Sequence, residues 1–181
     1  VDKFVIGHFG LINHLRNPTM LWKALNQICE ENNDFESKLE IRFSGNIDLN
    51  ILSKIENFKY LKGKIKNLGY LSHSEVIKQY NKSNVLLLLL FNSESGKGNY
   101  PGKVFEYFAS QKPILSFGPS ESDTKELKNI ENQNEKLESN PIDINNELVN
   151  LDESIDENHS IFDIKKIKDN WNKFLERINI K

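Results

Sequence analysis

Apolar positions along this chain recur in two rhythms, short continuous runs and helical stripes, and the two alternate. Residues 3–9 (KFVIGHF) form a short apolar run ahead of Gly10, which predicts a buried strand. The loop GLINHLRN follows. Pro18 suits the first turn of a helix with Asn17 as its cap, and Leu21, Ala24, Leu25 and Ile28 give that helix an apolar stripe. Residues 38–45 (KLEIRFSG) predict a second strand ended by Gly45, and Ile51, Leu52, Ile55 and Phe58 mark a second helix. Residues 64–71 (KIKNLGYL) predict a third strand, after which Ser72 or His73 starts a helix carrying Val76, Ile77 and Tyr80. Residues 84–91 (NVLLLLLF) show no alternation, so both faces of that strand should be covered, as in a parallel sheet. A short apolar helix with Val104, Phe105, Tyr107, Phe108 and Ala109 then leads to a fifth strand over residues 112–118 (KPILSFG).

This repetition of strand and helix predicts an α/β fold, an open parallel sheet with helices on both faces. Such sheets bind ligands beyond the carboxyl ends of their strands. The loops at those ends are GLINHLRN, GNIDLN, YLSHS, NSESGKGNYPG and GPSESD, and several combine glycine with polar or charged residues. From residue 124 to 158 the pattern weakens. That stretch is rich in Asn, Glu and Lys, and a solvated helix plus loops is expected. Residues 160–181 regain helical spacing through Ile164, Ile167, Trp171, Phe174, Leu175 and Ile178, which predicts a terminal amphipathic helix. With no internal repeat and no flexible linker, residues 1–181 read as one domain. The chain opens on a strand without an initiator methionine, so a piece of a longer protein is expected.

Composition narrows the classes of function. Hydrophobic residues at 38% and charged residues at 28% are ordinary for a globular chain of 181 residues. A net charge of −2 provides no basic field, so nucleic acid is not an expected partner. The one cysteine, Cys29, has no partner for an internal disulfide, which fits a reducing compartment. The longest apolar run, residues 85–91, is far too short to span a bilayer, and no secretory signal is visible.

Several chemical motifs can be tested on spacing. GKGNYPGK resembles a phosphate loop, but Gly96 leaves five residues before Gly102-Lys103, Gly98 leaves three, and Val104 stands where Ser or Thr is needed. No G-x-G-x-x-G follows the first strand. The histidines His8, His14, His73 and His159 have no metal-ligand spacing, so no metal and no separate cofactor is expected. The serines lack a nucleophile elbow. Asp48 and Asp123 read most simply as caps and turns. What remains is a helix start beyond a central buried strand. Lys103, which taken alone reads most simply as an ordinary surface lysine, adds a positive charge that can reach a phosphate. Glu106, almost one turn on and set in so apolar a helix, reads less simply as a surface residue and can accept hydrogen bonds from vicinal hydroxyls such as those of a ribose. Phosphate and ribose in that arrangement fit one nucleoside diphosphate. A functional carboxylate of this kind is expected to lie outside the core and to matter little for stability.

Three segments carry a resemblance. IGHFGLINHLRNPTMLWKAL, NLGYLSHSEVIKQYNKSNVLLLLL and GNYPGKVFEYFASQKPILSFGPSESD are similar in order and wording to the C-terminal, nucleotide-sugar-binding domain of GT-B glycosyltransferases of the group 1, GT4-like kind. The match covers about residues 3–123. It implies a Rossmann-like domain, one half of a GT-B fold, whose N-terminal acceptor domain is absent here. In that family the second glutamate of an E-x7-E motif binds the ribose, and that position is Glu106. Gly98 stands where the first glutamate would be, so contact to the transferred sugar is either missing or replaced by Glu94 or the backbone of Asn99. The family's basic residues near the diphosphate map to Arg16 and Lys103, and Gly10 lies where backbone approaches phosphate. Tyr70, Leu71 and Ser72 are placed to hold the base, largely through backbone groups, and Tyr100 and Gly102 complete the loop expected to line the donor.

The resemblance therefore implies transfer of a sugar from a nucleoside diphosphate sugar to a saccharide or lipid-linked acceptor, as in polysaccharide assembly. Arg16, Lys103 and Glu106 would carry the reaction, with no metal. The expected setting is cytoplasmic, at the membrane periphery for a longer protein, and the isolated chain is expected to be inactive alone. Two alternatives stay open: a GT-B-like domain that binds nucleotide or protein without transfer, and a sugar-nucleotide epimerase.

Overall fold

The computed structural model describes residues 3–89, 102–118 and 148–152. Six strands form one parallel sheet: β1 (Phe4–Phe9), β2 (Leu39–Ser44), β3 (Ile65–Asn67), β4 (Val85–Leu89), β5 (Ile114–Gly118) and β6 (Leu148–Asp152). Their spatial order is β3-β2-β1-β4-β5-β6. The order reverses between β1 and β4, which makes the carboxyl ends of those two strands the natural crevice of the sheet. The fold is Rossmann-like, as expected.

Five helices cover the sheet: α1 (Thr19–Glu31), α2 (Asn33–Lys38), α3 (Leu49–Glu56), α4 (His73–Asn81) and α5 (Lys103–Ala109). One layer of core joins Leu21, Leu25, Ile28, Ile51 and Ile55 of α1 and α3 to Ile6, Leu87 and Leu115 of the sheet. The opposite layer joins Val76 and Tyr80 of α4 and Val104, Tyr107 and Phe108 of α5 to Phe9, Leu86, Leu88 and Ile114. Alternate residues of β4 thus enter opposite layers, which is why its sequence is apolar without interruption.

Local chemistry departs from the sequence expectations at four places. Helix α1 starts at Thr19 with Pro18 before it, and no side chain caps it. Asn17 instead accepts the Trp22 indole N–H at 2.9 Å, because the ring is buried and its donor needs a partner. Helix α3 ends at Glu56, so Phe58 lies in the turn beyond it. Helix α2, unanticipated, is capped by Asn32, which accepts from the Phe35 N–H at 2.9 Å, and Phe35 packs on Phe4 with ring centroids 5.5 Å apart. Strand β6 falls inside residues 124–158, where helix and loops were expected. It pairs with β5 from Ile114↔Leu148 to Gly118↔Asp152, so backbone hydrogen bonding to an open sheet edge decided its conformation. Asp48 caps α3 by accepting from the Asn50 N–H at 2.8 Å, and Ser72 starts α4, both as read from sequence. The terminal helix over 160–181 lies outside the described residues.

Candidate functional site at the carboxyl edge

The loops leaving β1, β2 and β3 are laced together by backbone. Gly10 donates its N–H to the Ser44 carbonyl at 2.8 Å, and Gly45 donates to the Gly69 carbonyl at 3.0 Å. A side chain at Gly45 would meet the Gly10 carbonyl at 2.4 Å, and its φ of +118° is itself a glycine conformation. Further along the first loop, Ile12 donates to the Asn46 carbonyl at 3.0 Å. The Gly10 loop is therefore a built feature, braced along its length by the neighbouring strand's exit.

Arg16 leaves this braced loop half-buried, its N–H donating to the Asn13 carbonyl at 2.9 Å. Burial lowers its pKa. Lys103 is the first residue of α5, also half-buried, and burial lowers its pKa while Glu106 opposes the shift. Both cations bear electrostatically on one group, His8, near the end of β1. Positive charge from the β1 loop and from α5 thus converges at the point where the strand order reverses.

Glu106 has a specific partner. The Tyr80 hydroxyl, from α4, donates to its carboxylate at 2.8 Å. Burial raises the Tyr80 pKa, and the bond to Glu106 raises it further, so the phenol stays protonated and remains the donor. Tyr80 stacks edge-on against Phe9 and Tyr107 at 5.0 and 5.2 Å, and the Tyr107 hydroxyl accepts the Phe9 N–H at 3.2 Å. Glu106 lies outside the two core clusters, as expected, but it has a structural partner that the sequence did not show. It is half-buried and anchored by a core tyrosine. Anchoring also fixes the carboxylate's direction, which suits a ligand-binding role.

The remaining candidates divide. Tyr70 is 93% exposed and Leu71 packs against the second core layer. Ser72 is committed to a capping box: its side chain accepts from the Glu75 N–H, and its own N–H donates to Glu75 at 2.9 Å. The backbone donor at Ser72 is thus already used by the helix. Gly102 precedes α5 in ordinary right-handed geometry. Glu94, Gly98, Asn99 and Tyr100 lie outside the described residues. Among the described residues no group of three or more His, Cys, Asp or Glu could hold a metal ion, and no helix is long and apolar enough to cross a membrane.

His8 is the residue that sequence reasoning weighed only for metal spacing. It is 6% exposed, and its Nδ1 lies 2.8 Å from the Leu87 carbonyl. Burial lowers its pKa to about 4, with Lys103 and Arg16 adding to the shift and the backbone of Leu87 and Leu11 opposing it. The available signal was its position, a polar residue near the end of a fully buried strand, directly ahead of a glycine loop.

No protein-family description matches the chain, and no curated protein does. Solved structures do. The C-terminal domain of a group 1 family glycosyl transferase (LpcC) from Francisella tularensis aligns over 99% of this chain and 80% of its own, with TM-score 0.58 and 16% identity. WaaG, a glycosyltransferase involved in lipopolysaccharide biosynthesis, aligns over 99% of this chain and 40% of its own, with TM-score 0.61 and 9% identity. The pneumococcal O-GlcNAc transferase GtfA, solved with UDP and GlcNAc, aligns over 98% and 31%, with TM-score 0.56 and 17% identity. A putative UDP-N-acetylglucosamine 2-epimerase from Listeria monocytogenes aligns over 99% and 39%, with TM-score 0.54 and 13% identity. At such identities the likeness is one of fold. The fold is that of the Rossmann-like C-terminal half of GT-B proteins. The chain spans four-fifths of the isolated LpcC domain and under half the length of the other three chains.

Proposed function

We propose that this chain is the donor-binding half of a glycosyltransferase and binds a nucleoside diphosphate sugar across the carboxyl ends of β1 and β4. The observation that carries the reading is the convergence of Arg16 and Lys103, from separate elements, on the end of β1 at the sheet's switch point. Two half-buried cations there would face the diphosphate. As the bond to the sugar breaks, negative charge grows on the leaving diphosphate, and fixed cations in a partly dehydrated site stabilise it without reorganisation. Glu106, held by Tyr80, would accept hydrogen bonds from the ribose hydroxyls. Gly10 would let backbone approach phosphate, Tyr70 and Leu71 would flank the base, and Asn99, Tyr100 and Gly102 would line the donor. The acceptor, a saccharide or lipid-linked saccharide, would come to a second domain in a longer cytoplasmic protein working at the membrane periphery.

Calorimetric titration of the 181-residue chain with UDP, GDP and ADP tests this. Binding of at least one is expected, and binding of none overturns the reading. Transfer is proposed only for a two-domain protein, so robust sugar transfer by the isolated chain would contradict the assignment of the acceptor site. The fold is shared with a putative epimerase, which favours one second reading, sugar-nucleotide epimerisation. A longer protein that inverts a sugar carbon of its nucleotide sugar with no acceptor present would establish that instead.

A further inference from the structure

We propose that His8 is a proton-accepting ligand of the diphosphate: a nucleoside diphosphate bound between Arg16 and Lys103 is accompanied by uptake of a proton at His8 Nε2. The proposal deepens the nucleotide-binding reading and rests on it. The geometry starts from Nδ1. A carbonyl can only accept, so the 2.8 Å bond to Leu87 requires Nδ1 to carry a hydrogen. In the neutral ring Nε2 is then a lone pair. That nitrogen is buried and has no hydrogen-bond partner among the described residues. A buried polar atom without a partner is uncommon, and it marks either strain or a ligand position.

Its surroundings favour the second. The β1–β4 ladder is recorded at Ile6↔Val85 and Gly7↔Leu86, and His8 follows at the mouth of the crevice. On the loop side is Gly10, where an added Cβ would lie 3.5 Å from Nε2, so the glycine keeps that side of the ring uncovered. The charged groups that bear on the ring are Arg16 from the first loop and Lys103 from α5. Strand β4 contributes the Leu87 carbonyl, and the Leu11 backbone acts on the ring in the same sense, favouring its protonated form, while Nε2 has no hydrogen-bond partner within reach among the described residues. In the free protein burial and both cations hold the ring neutral. A diphosphate offsets both cations and brings only acceptor oxygens. A lone pair facing those oxygens is repelled, whereas a protonated Nε2 donates to them. Binding and protonation therefore favour each other, since each charge stabilises the other.

The test is calorimetric titration of the 181-residue chain with UDP, GDP, ADP and inorganic pyrophosphate, in buffers of different ionisation enthalpy, from pH 7.5 to 5.5. The second ionisation of a phosphate falls near pH 6, so the ligand's own protonation is removed by comparison with His8→Gln. Wild type should take up close to one proton more than the variant. Its affinity should rise faster as pH falls, by up to about tenfold per pH unit, the slope of one linked proton. Ring resonances of the wild-type histidines followed by NMR give the same answer if the variant does not fold: His8 should move to its protonated position on adding the ligand. Binding with no excess uptake and an unshifted His8 resonance overturns the proposal while leaving nucleotide binding standing. Wild-type affinity that falls on acidification more steeply than the variant's also overturns it, since the neutral Nε2 would then be accepting a hydrogen bond from the ligand. Failure of all four probes to bind removes the nucleotide reading and this proposal together.

Discussion

The starts of α4 and α5 each carry a glutamate in the first turn, and the two are used in opposite ways. Glu75 in α4 is exposed and turned back on its own helix, bonded to the Ser72 hydroxyl at 2.6 Å and to the Ser72 N–H at 2.9 Å. Glu106 in α5 is half-buried and makes no cap. Its carboxylate is bonded across to Tyr80, on the neighbouring helix α4 of the same layer. One carboxylate completes local secondary structure; the other is oriented by tertiary packing at the carboxyl edge of the sheet. A first-turn glutamate is therefore not a functional signal by itself. The signal is a carboxylate that its own helix does not use.

Substitutions at Glu106 break this contrast most strongly. Glu106→Ala should weaken nucleotide binding by about ten- to a hundredfold, taking the net loss as one charged hydrogen bond. It should leave inorganic pyrophosphate binding unchanged, whereas Lys103→Ala should weaken both ligands. Because Tyr80 loses its acceptor, Glu106→Ala should also cost about 1 kcal/mol of stability, a fall in Tm of about 2–4 °C for a chain of this size. Glu106→Gln retains an acceptor for Tyr80, so it should keep most of the stability and weaken nucleotide binding only modestly. If Glu106→Ala is unstable but its folded fraction binds nucleotide normally, the carboxylate is purely structural.

Removing the donor instead of the acceptor sharpens the point. Tyr80→Phe should lower stability by about 1 kcal/mol. It should lower nucleotide affinity by less than Glu106→Ala does, because the carboxylate stays but is less well oriented. At the other helix, Ser72→Ala should cost about 1 kcal/mol through the lost cap, with nucleotide affinity unchanged. Equal effects of Ser72→Ala and Glu106→Ala on affinity would dissolve the distinction between the two helix starts.

The capping box has its own pH signature. Hydrogen bonds from Ser72 hold the Glu75 pKa below its ordinary 4.5. A depressed carboxylate stabilises the fold above its unfolded pKa and loses that contribution as pH falls through its folded value. The stability difference between wild type and Glu75→Gln should thus be constant near neutrality and shrink on acidification below about pH 4. Urea denaturation at several pH values measures it. The smallest effect is expected from metal removal: with Arg16 and Lys103 supplying the positive charge, EDTA should change nucleotide affinity by less than about tenfold, or about 1.4 kcal/mol.

Much of the scaffold was legible in the residues. Unbroken apolar runs such as VLLLL demanded a strand covered on both faces, and the α1 stripe through Leu21 and Ile28 demanded a helix with one buried side. These are short-range consequences of periodicity, which the chain carries locally. The Asp48 and Ser72 caps were legible for the same reason, since a cap acts within three residues. Helix α2 was missed because NDFESK has a single large apolar residue and no stripe to read.

What the tertiary structure alone decided is everything that depends on distant segments meeting. Residue order places Arg16 and Lys103 87 positions apart (103 − 16), and only the strand order brings both charges to bear on His8. Nothing near Glu106 in sequence names Tyr80 as its partner, 26 residues away. The segment of β6 carries too weak a pattern to specify a strand, and the exposed hydrogen-bonding edge of β5 supplied the missing half of the instruction. Local periodicity depends on an element's own residues, so the sequence specifies it directly. Partnership between side chains depends on which loops close, and that follows from burial of the whole core at once.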